Sequence, residues 1–321
     1  MWIEKFDYNP LAALISSGNF AIEYFTRRDL LDEKVPSLKN LWEQKTPKRI
    51  IRKQQEDGSW KYPGGHKHVR SAENYNQIET FRQLGELVEK YGFNRDHPSI
   101  EKAAEFLFKF QTDEGDIRGI YGNQYATTYS SAIMELLIKA GYQDDPRIHQ
   151  GFNWLLVNRQ KDGGWAIPLR TIKMKYSDAL KLQKPLKGDP NKPFSHLITG
   201  MVLRSFAAHP TYRNAPEAWK AGKLLMSRFF QRDKYNDRQD KKYWESVSFP
   251  FWFTNIVTSL DSLYFLGFGT DEPQIQLGLN WLVGKQKKDG NFDLKLLMTR
   301  DKDLKFWITF AICRIFKRYY P

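Results

Sequence analysis

Apolar residues recur along this chain at helical spacing, and the helical stretches come in pairs. In "DPRIHQGFNWLLVNRQKDGGW", from Asp145, the positions Ile148, Phe152, Leu155 and Leu156 fall on one face of a helix. Asp145 and Pro146 supply a cap and a proline at the first helical position. Gly163 or Gly164 offers the left-handed backbone that ends the helix, and Trp165 follows as a packing residue. The same phrase begins at Asp96, Asn214 and Asp271, and in truncated form at Thr46. Each ends in a glutamine.

A variable loop and a second helix follow each glutamine. The pattern predicts second helices over 73–92, 125–142, 195–210, 252–269 and 303–320, richer in aromatic, small and β-branched residues than the first ones. The unit is a helical hairpin of about 50 residues, a length that signals a repeat architecture. One hairpin cannot bury its apolar face alone, so neighbours must stack. Five hairpins and an N-terminal helical segment, residues 1–40, fill a single all-α domain over 1–321. The stretch 249–269 is apolar enough to raise a membrane span. Pro250, Asn255, Thr258 and Asp261 within it favour a buried helix instead.

Gln55–Gly58–Trp60 and Gln160–Gly163–Trp165 resemble the QW-type repeat of the squalene–hopene and oxidosqualene cyclases. Gln286–Gly290–Phe292 and Gln111–Gly115–Ile117 are degenerate copies, and Gln231 keeps only the glutamine. The β subunits of protein prenyltransferases share that architecture. The resemblance covers most of the chain and implies an α/α toroid, with the second helices in an inner ring and the first helices outside. It also implies that the glutamines and tryptophans brace helices and carry no chemistry. Two family signatures are missing from the sequence. No Asp-x-Asp-Asp run is present, and the Asp, Cys and His zinc set of the prenyltransferases has no counterpart around Cys313 in "FAICRIF". A buried core cysteine is the better reading there. His66 and His68 lack a third ligand nearby, so neither metal nor cofactor is expected.

The single cysteine rules out an intrachain disulfide, and the start "MWIEKFDYNP" has no signal pattern, so a cytoplasmic chain is expected. The net charge is +13, which favours anionic partners. Basic residues are mixed with acids along the chain, and no nucleic-acid motif is visible.

Polar stripes on the second helices place candidate chemistry in the ring. Asp261, Glu135 and Glu79 are the candidate catalytic carboxylates. Burial among aromatics would raise the pKa of Asp261 and make it a general acid. The glycine loop "GDIRGIYGNQY", 115–125, brings Arg118, Tyr121, Asn123 and Tyr125 before a helix N-terminus, where an anion can sit. Arg82, His196 and Trp252 complete the candidate binding residues. The connections 166–194 and 232–250 are lysine-rich and lead to the same rim, which is where the ligand is expected to enter. Lys305, Arg314, Lys317 and Arg318 are expected on the outer face of the last helix, where they would permit peripheral contact with anionic lipid.

Three readings follow. One is a cyclase- or prenyltransferase-like toroid holding an anionic small molecule, such as a phosphorylated isoprenoid, with catalysis left open. The second is a carbohydrate-active toroid, a hydrolase or lyase acting on an acidic glycan. The third is a non-enzymatic binding scaffold.

Overall fold

The computed structural model describes residues 1–64, 72–235, 240–297 and 300–321. His66 and His68 lie outside the described residues. Among the described residues, twelve α-helices of six or more residues alternate between two concentric layers. The outer ones are α1 (Pro10–Ile15), α3 (Lys45–Ile51), α5 (Pro98–Phe108), α7 (Pro146–Val157), α9 (Pro216–Met226) and α11 (Pro273–Val283). The inner ones are α2 (Phe20–Phe25), α4 (Ala72–Tyr91), α6 (Thr127–Leu137), α8 (His196–Ala208), α10 (Ile256–Phe265) and α12 (Leu304–Tyr319). Each inner helix packs on the next, α2 on α4 and so on to α12, which returns to α2. The fold is an α/α toroid.

Local sequence explains the outer starts. Five of the six begin with proline at the first position. Asn9, His97 and Asp145 each accept a hydrogen bond from the backbone two residues on. The inner helices are the more buried: all of α6 but Tyr129, and all of α8 but Ala208, is buried.

The repeated phrase is a staple. Gln54 donates to the Gly58 carbonyl at 2.9 Å and to the Ser99 carbonyl of α5 at 2.8 Å. Gln111 does the same with Gly115 and with Arg147 of α7, at 2.8 and 2.7 Å. Gln286 reaches Tyr8, ahead of α1, at 2.7 Å and so ties the last outer helix to the first. The bracing glutamine of the first copy is therefore Gln54, one residue before the expected Gln55. In the third copy the equivalent position is Arg159, which donates to the Leu156 carbonyl and lies 3.9 Å from Glu217 of α9. Gln160 turns instead to the carbonyls of Asp189 and Lys192 in the long connection.

Trp60 and Trp165 are buried, and each indole donates to the end of its own outer helix, at Ile50 or Leu155. Their backbone N–H groups donate to hydroxyls of the inner helices, Thr80 and Thr199. Gly58 and Gly115 have positive φ, and a Cβ there would lie 2.2 Å and 2.4 Å from carbonyl oxygens of the next outer helix. Only glycine allows the loop to approach so closely.

The helices alternate in direction. The staple loops and inner N-termini share one rim, and the inner C-termini share the other. The stretch 249–269 divides: residues 249–255 are not helical, and α10 starts at Ile256 after an Asn255–Thr258 capping box.

Candidate functional site

The inner helices enclose a chamber of about 470 Å3 at the rim where they end. Arg28, Lys139, Arg204, Arg213, Arg314 and Arg318 line it, against Glu89, Glu135 and Asp261. Phe25, Phe93, Phe249, Phe251, Phe265 and Phe310 supply the apolar wall. Four of the arginines lie over rings of this wall: Arg28 over Phe25, Arg204 over Phe251, Arg314 over Phe310 and Arg318 over Phe265. Among the described lining residues six cations face three carboxylates. Part of that excess answers the partial negative charge of the helix C-termini on this rim.

The pairing inside the chamber is uneven. Lys139 sits between Glu89 and Glu135, at 2.6 and 2.7 Å. Arg204 lies 2.7 Å from the other Glu135 oxygen. Arg318 donates to Asp261. Arg28 is paired with Asp29 at 2.5 Å. Arg314 lies 3.8 Å from Asp29, and Arg213 donates to the Pro210 carbonyl at 3.2 Å. Burial and the neighbouring Arg318 push the Arg314 guanidinium below its usual value. Its side chain is 40% accessible, so water tempers that cost.

These charges act on the carboxylates against burial. Burial acts to raise Glu135, but Arg204 and Lys139 outweigh it and hold the carboxyl below its usual range. Burial also opposes ionisation of Asp261, and Arg318, Arg314 and Lys139 outweigh it. Burial was expected to raise the Asp261 carboxyl; the cations that the fold gathers, invisible along the chain, act the other way. Glu79 does not line the chamber; it pairs with Arg82 at 3.0 Å and accepts from Gln83 at 2.6 Å.

Residues 248–253 cross the lumen and bound the chamber from the loop side. Phe249 stacks on Trp307 at 5.2 Å. Trp252 packs against Phe81 at 5.4 Å and Tyr129 at 4.8 Å. Beyond this segment lies a groove of about 240 Å3, lined by Phe81, Arg82, Glu86, Tyr129, Pro250, Phe251 and Trp252 among others. Arg82 and Trp252 are thus brought together, away from Glu135 and Asp261.

The glycine loop and the lysine-rich connections do converge on the other rim. Tyr121, Arg170, Lys173, Lys175, Lys192 and Lys234 line a cavity there of about 980 Å3. Lys173, Lys175, Lys192 and Lys234 are ammonium groups on loops, well served by water, whereas the chamber confines guanidinium groups between packed helices. Arg118 takes no part in the rim cavity's lining. It is neutralised by Asp116 at 2.9 Å and Glu114 at 2.6 Å, and lies over the Tyr125 ring. Tyr125 donates to Glu114 at 2.8 Å, and burial together with that carboxylate pushes its phenol up to about 12. Asn123 donates to the Gln183 carbonyl. His196 is buried against Trp244, 3.6 Å from Asp233, and burial pushes its imidazole down to about 4. These four residues hold loops and helix starts in place. The expected anion seat at Arg118 is corrected on this ground.

Residues 73–179, a third of the chain, match the model of the squalene-hopene cyclase C-terminal domain. Over that segment the chain is squalene-hopene cyclase-like. No curated protein matches the sequence. Among solved structures, a protein from Actinoplanes is similar at 13% identity, covering 100% of this chain and 90% of that one, with a TM-score of 0.44. A variant of the type II terpene cyclase MstE from Scytonema, in complex with geranylgeranyl dihydroxybenzoate, is similar at 11% identity, with 99% and 87% coverage and a TM-score of 0.44. An alpha-amylase from Clostridium perfringens is similar at 14% identity, with 84% and 79% coverage and a TM-score of 0.43.

The chamber is lined by residues that the sequence did not single out for it: Arg28, Glu89, Lys139, Arg213, Arg314 and Arg318. Arg314 and Arg318 were expected on the outer face of the last helix, but α12 turns them into the chamber. This removes two cations from the proposed lipid-facing surface. Lys317 instead reaches Asp32 at 2.6 Å. The available signal was a cation set within an apolar inner helix, as Arg204 is in "LITGMVLRSFAA". Among the described residues no helix is long and apolar enough to cross a membrane.

Proposed function

We propose that this chain works as one ring over residues 1–321 and holds a small organic anion in the chamber. The ligand carries a phosphate or carboxylate head on an apolar body. A phosphorylated isoprenoid has that chemistry. The observation that supports this reading is the cationic excess of the chamber, with Arg213 and Arg314 only loosely answered by acids. A head group there exchanges water for charged hydrogen bonds, and the phenylalanine wall takes the body.

Binding without turnover is the favoured form of this reading. Class II cyclisation needs a proton donor, and glycoside hydrolysis needs one carboxyl kept protonated beside another. Glu135 and Asp261 are both held as ions by their cation partners. That observation also counts against the acidic-glycan enzyme.

Isothermal titration with geranyl phosphate, geraniol and inorganic phosphate tests the proposal. Geranyl phosphate binds, geraniol does not, and Arg314→Glu weakens binding by roughly 1.5–3 kcal/mol, the range for a lost charged hydrogen bond. Equal affinity for the alcohol and the phosphate, or no binding of either, ends it.

A further inference from the structure

The chamber and the aromatic groove lie on opposite sides of the segment 248–253. Among the described residues Phe251 is the one residue that lines both. Its carbonyl is fixed by Arg204 at 3.0 Å, and the same guanidinium lies over its ring. Phe249 meets the ring edge-on at 5.2 Å. The ring itself is only half-buried. A half-buried phenyl between two cavities is a partition: the backbone that carries it is anchored, and its removal leaves that anchor intact.

We propose that Phe251 sets the length of the ligand, admitting short-bodied anions to the chamber and barring longer ones from the groove beyond. The inference rests on reading the chamber as an organic-anion site. It adds a residue and a size limit that the reading alone does not contain. The head stays with the arginines of the inner C-termini. An apolar chain too long for about 470 Å3 must then pass the Phe251 ring to reach Phe81, Tyr129 and Trp252. Those rings form an apolar floor for it, at ring separations of 4.8–6.4 Å. The chamber alone falls within the range of small-molecule sites, and joining the groove to it keeps the total within that range.

The test is a chain-length series in the full chain: n-octyl phosphate and n-dodecyl phosphate, titrated below their critical micelle concentrations. Wild type, Phe251→Ala and Phe251→Leu are compared, with thermal unfolding as the check on folding. Wild type binds the octyl ester at least as tightly as the dodecyl ester. In Phe251→Ala the preference reverses by about tenfold or more, since extra methylenes then leave water for the groove. Phe251→Leu, which keeps an apolar side chain of reduced reach, shifts the ratio in the same direction by less. An unchanged ratio in folded variants that bind octyl phosphate overturns the partition and leaves the anion reading standing. Failure of wild type and both variants to bind either ester overturns the anion reading and the partition together.

Discussion

Arg204 fastens Trp252 across the ring: its guanidinium donates to the Trp252 carbonyl at 3.0 Å. A second bond of 3.0 Å goes to the Phe251 carbonyl, and Glu135 lies 2.7 Å away. One buried cation thereby serves the wall of the chamber and the segment that divides the lumen.

Arg204→Met leaves Glu135 with Lys139 alone and two carbonyls without donors. The loss expected is roughly 3–5 kcal/mol, as for breaking a buried pair from one side. Glu135→Gln in the same chain removes the stranded charge, so the double variant costs less than the sum of the singles. Urea unfolding of the four proteins measures this, and strict additivity contradicts the coupling.

Trp165 is fully buried and braces Leu155 of α7 and Thr199 of α8. Trp165→Ala lowers stability by roughly 3–5 kcal/mol through the cavity it leaves and the bonds it breaks. Affinity for geranyl phosphate in the folded fraction stays unchanged, because the indole does not line the chamber. An intact melting temperature with lost binding would contradict the bracing role.

The stapling register makes its own prediction. Gln111→Ala strands the Arg147 carbonyl and loses about 1–3 kcal/mol. Gln55→Ala, at the position first expected to brace the helices, loses less than Gln54→Ala. Thermal unfolding of the two single variants decides between the registers.

His196 gives the fold a pH dependence whose sign is fixed. Its folded pKa is pushed down to about 4, from the ordinary 6.5, by burial that the nearby Asp233 only partly offsets. Between those values the unfolded chain takes up a proton that the folded chain refuses. Stability is therefore lost as pH falls from about 6.5 toward 4, by about 3 kcal/mol at most. Glu135 and Asp261, held low when folded, add a further loss below about 4.5 as they protonate. Unfolding free energies of wild type and His196→Phe across pH 4–7 are the measurement. An equally steep decline in the variant would remove His196 as its source.

The sequence by itself determined the helices and their pairing. Proline after a capping residue, an apolar stripe of period 3.6, and glycine at the turn are local signals, and α5, α7 and α11 begin where those signals place them. The recurrence of the phrase showed that the hairpins must stack on their neighbours, and the resemblance of the phrase to the QW-type repeat implied a ring with inner and outer layers. Tertiary structure alone decided the rest. Arg314 and Arg318 look like outer-face cations along the chain, yet the ring turns their side of α12 inward. Asp261 looks like a lone acid among aromatics, yet it meets Arg318 from a helix 57 residues away. Its ionisation depends on that partner, and no local pattern encodes which distant cation closes on a buried carboxylate. Phe251 is hidden for the same reason: whether a connection lies over the rim or threads the lumen depends on what the assembled inner helices leave open.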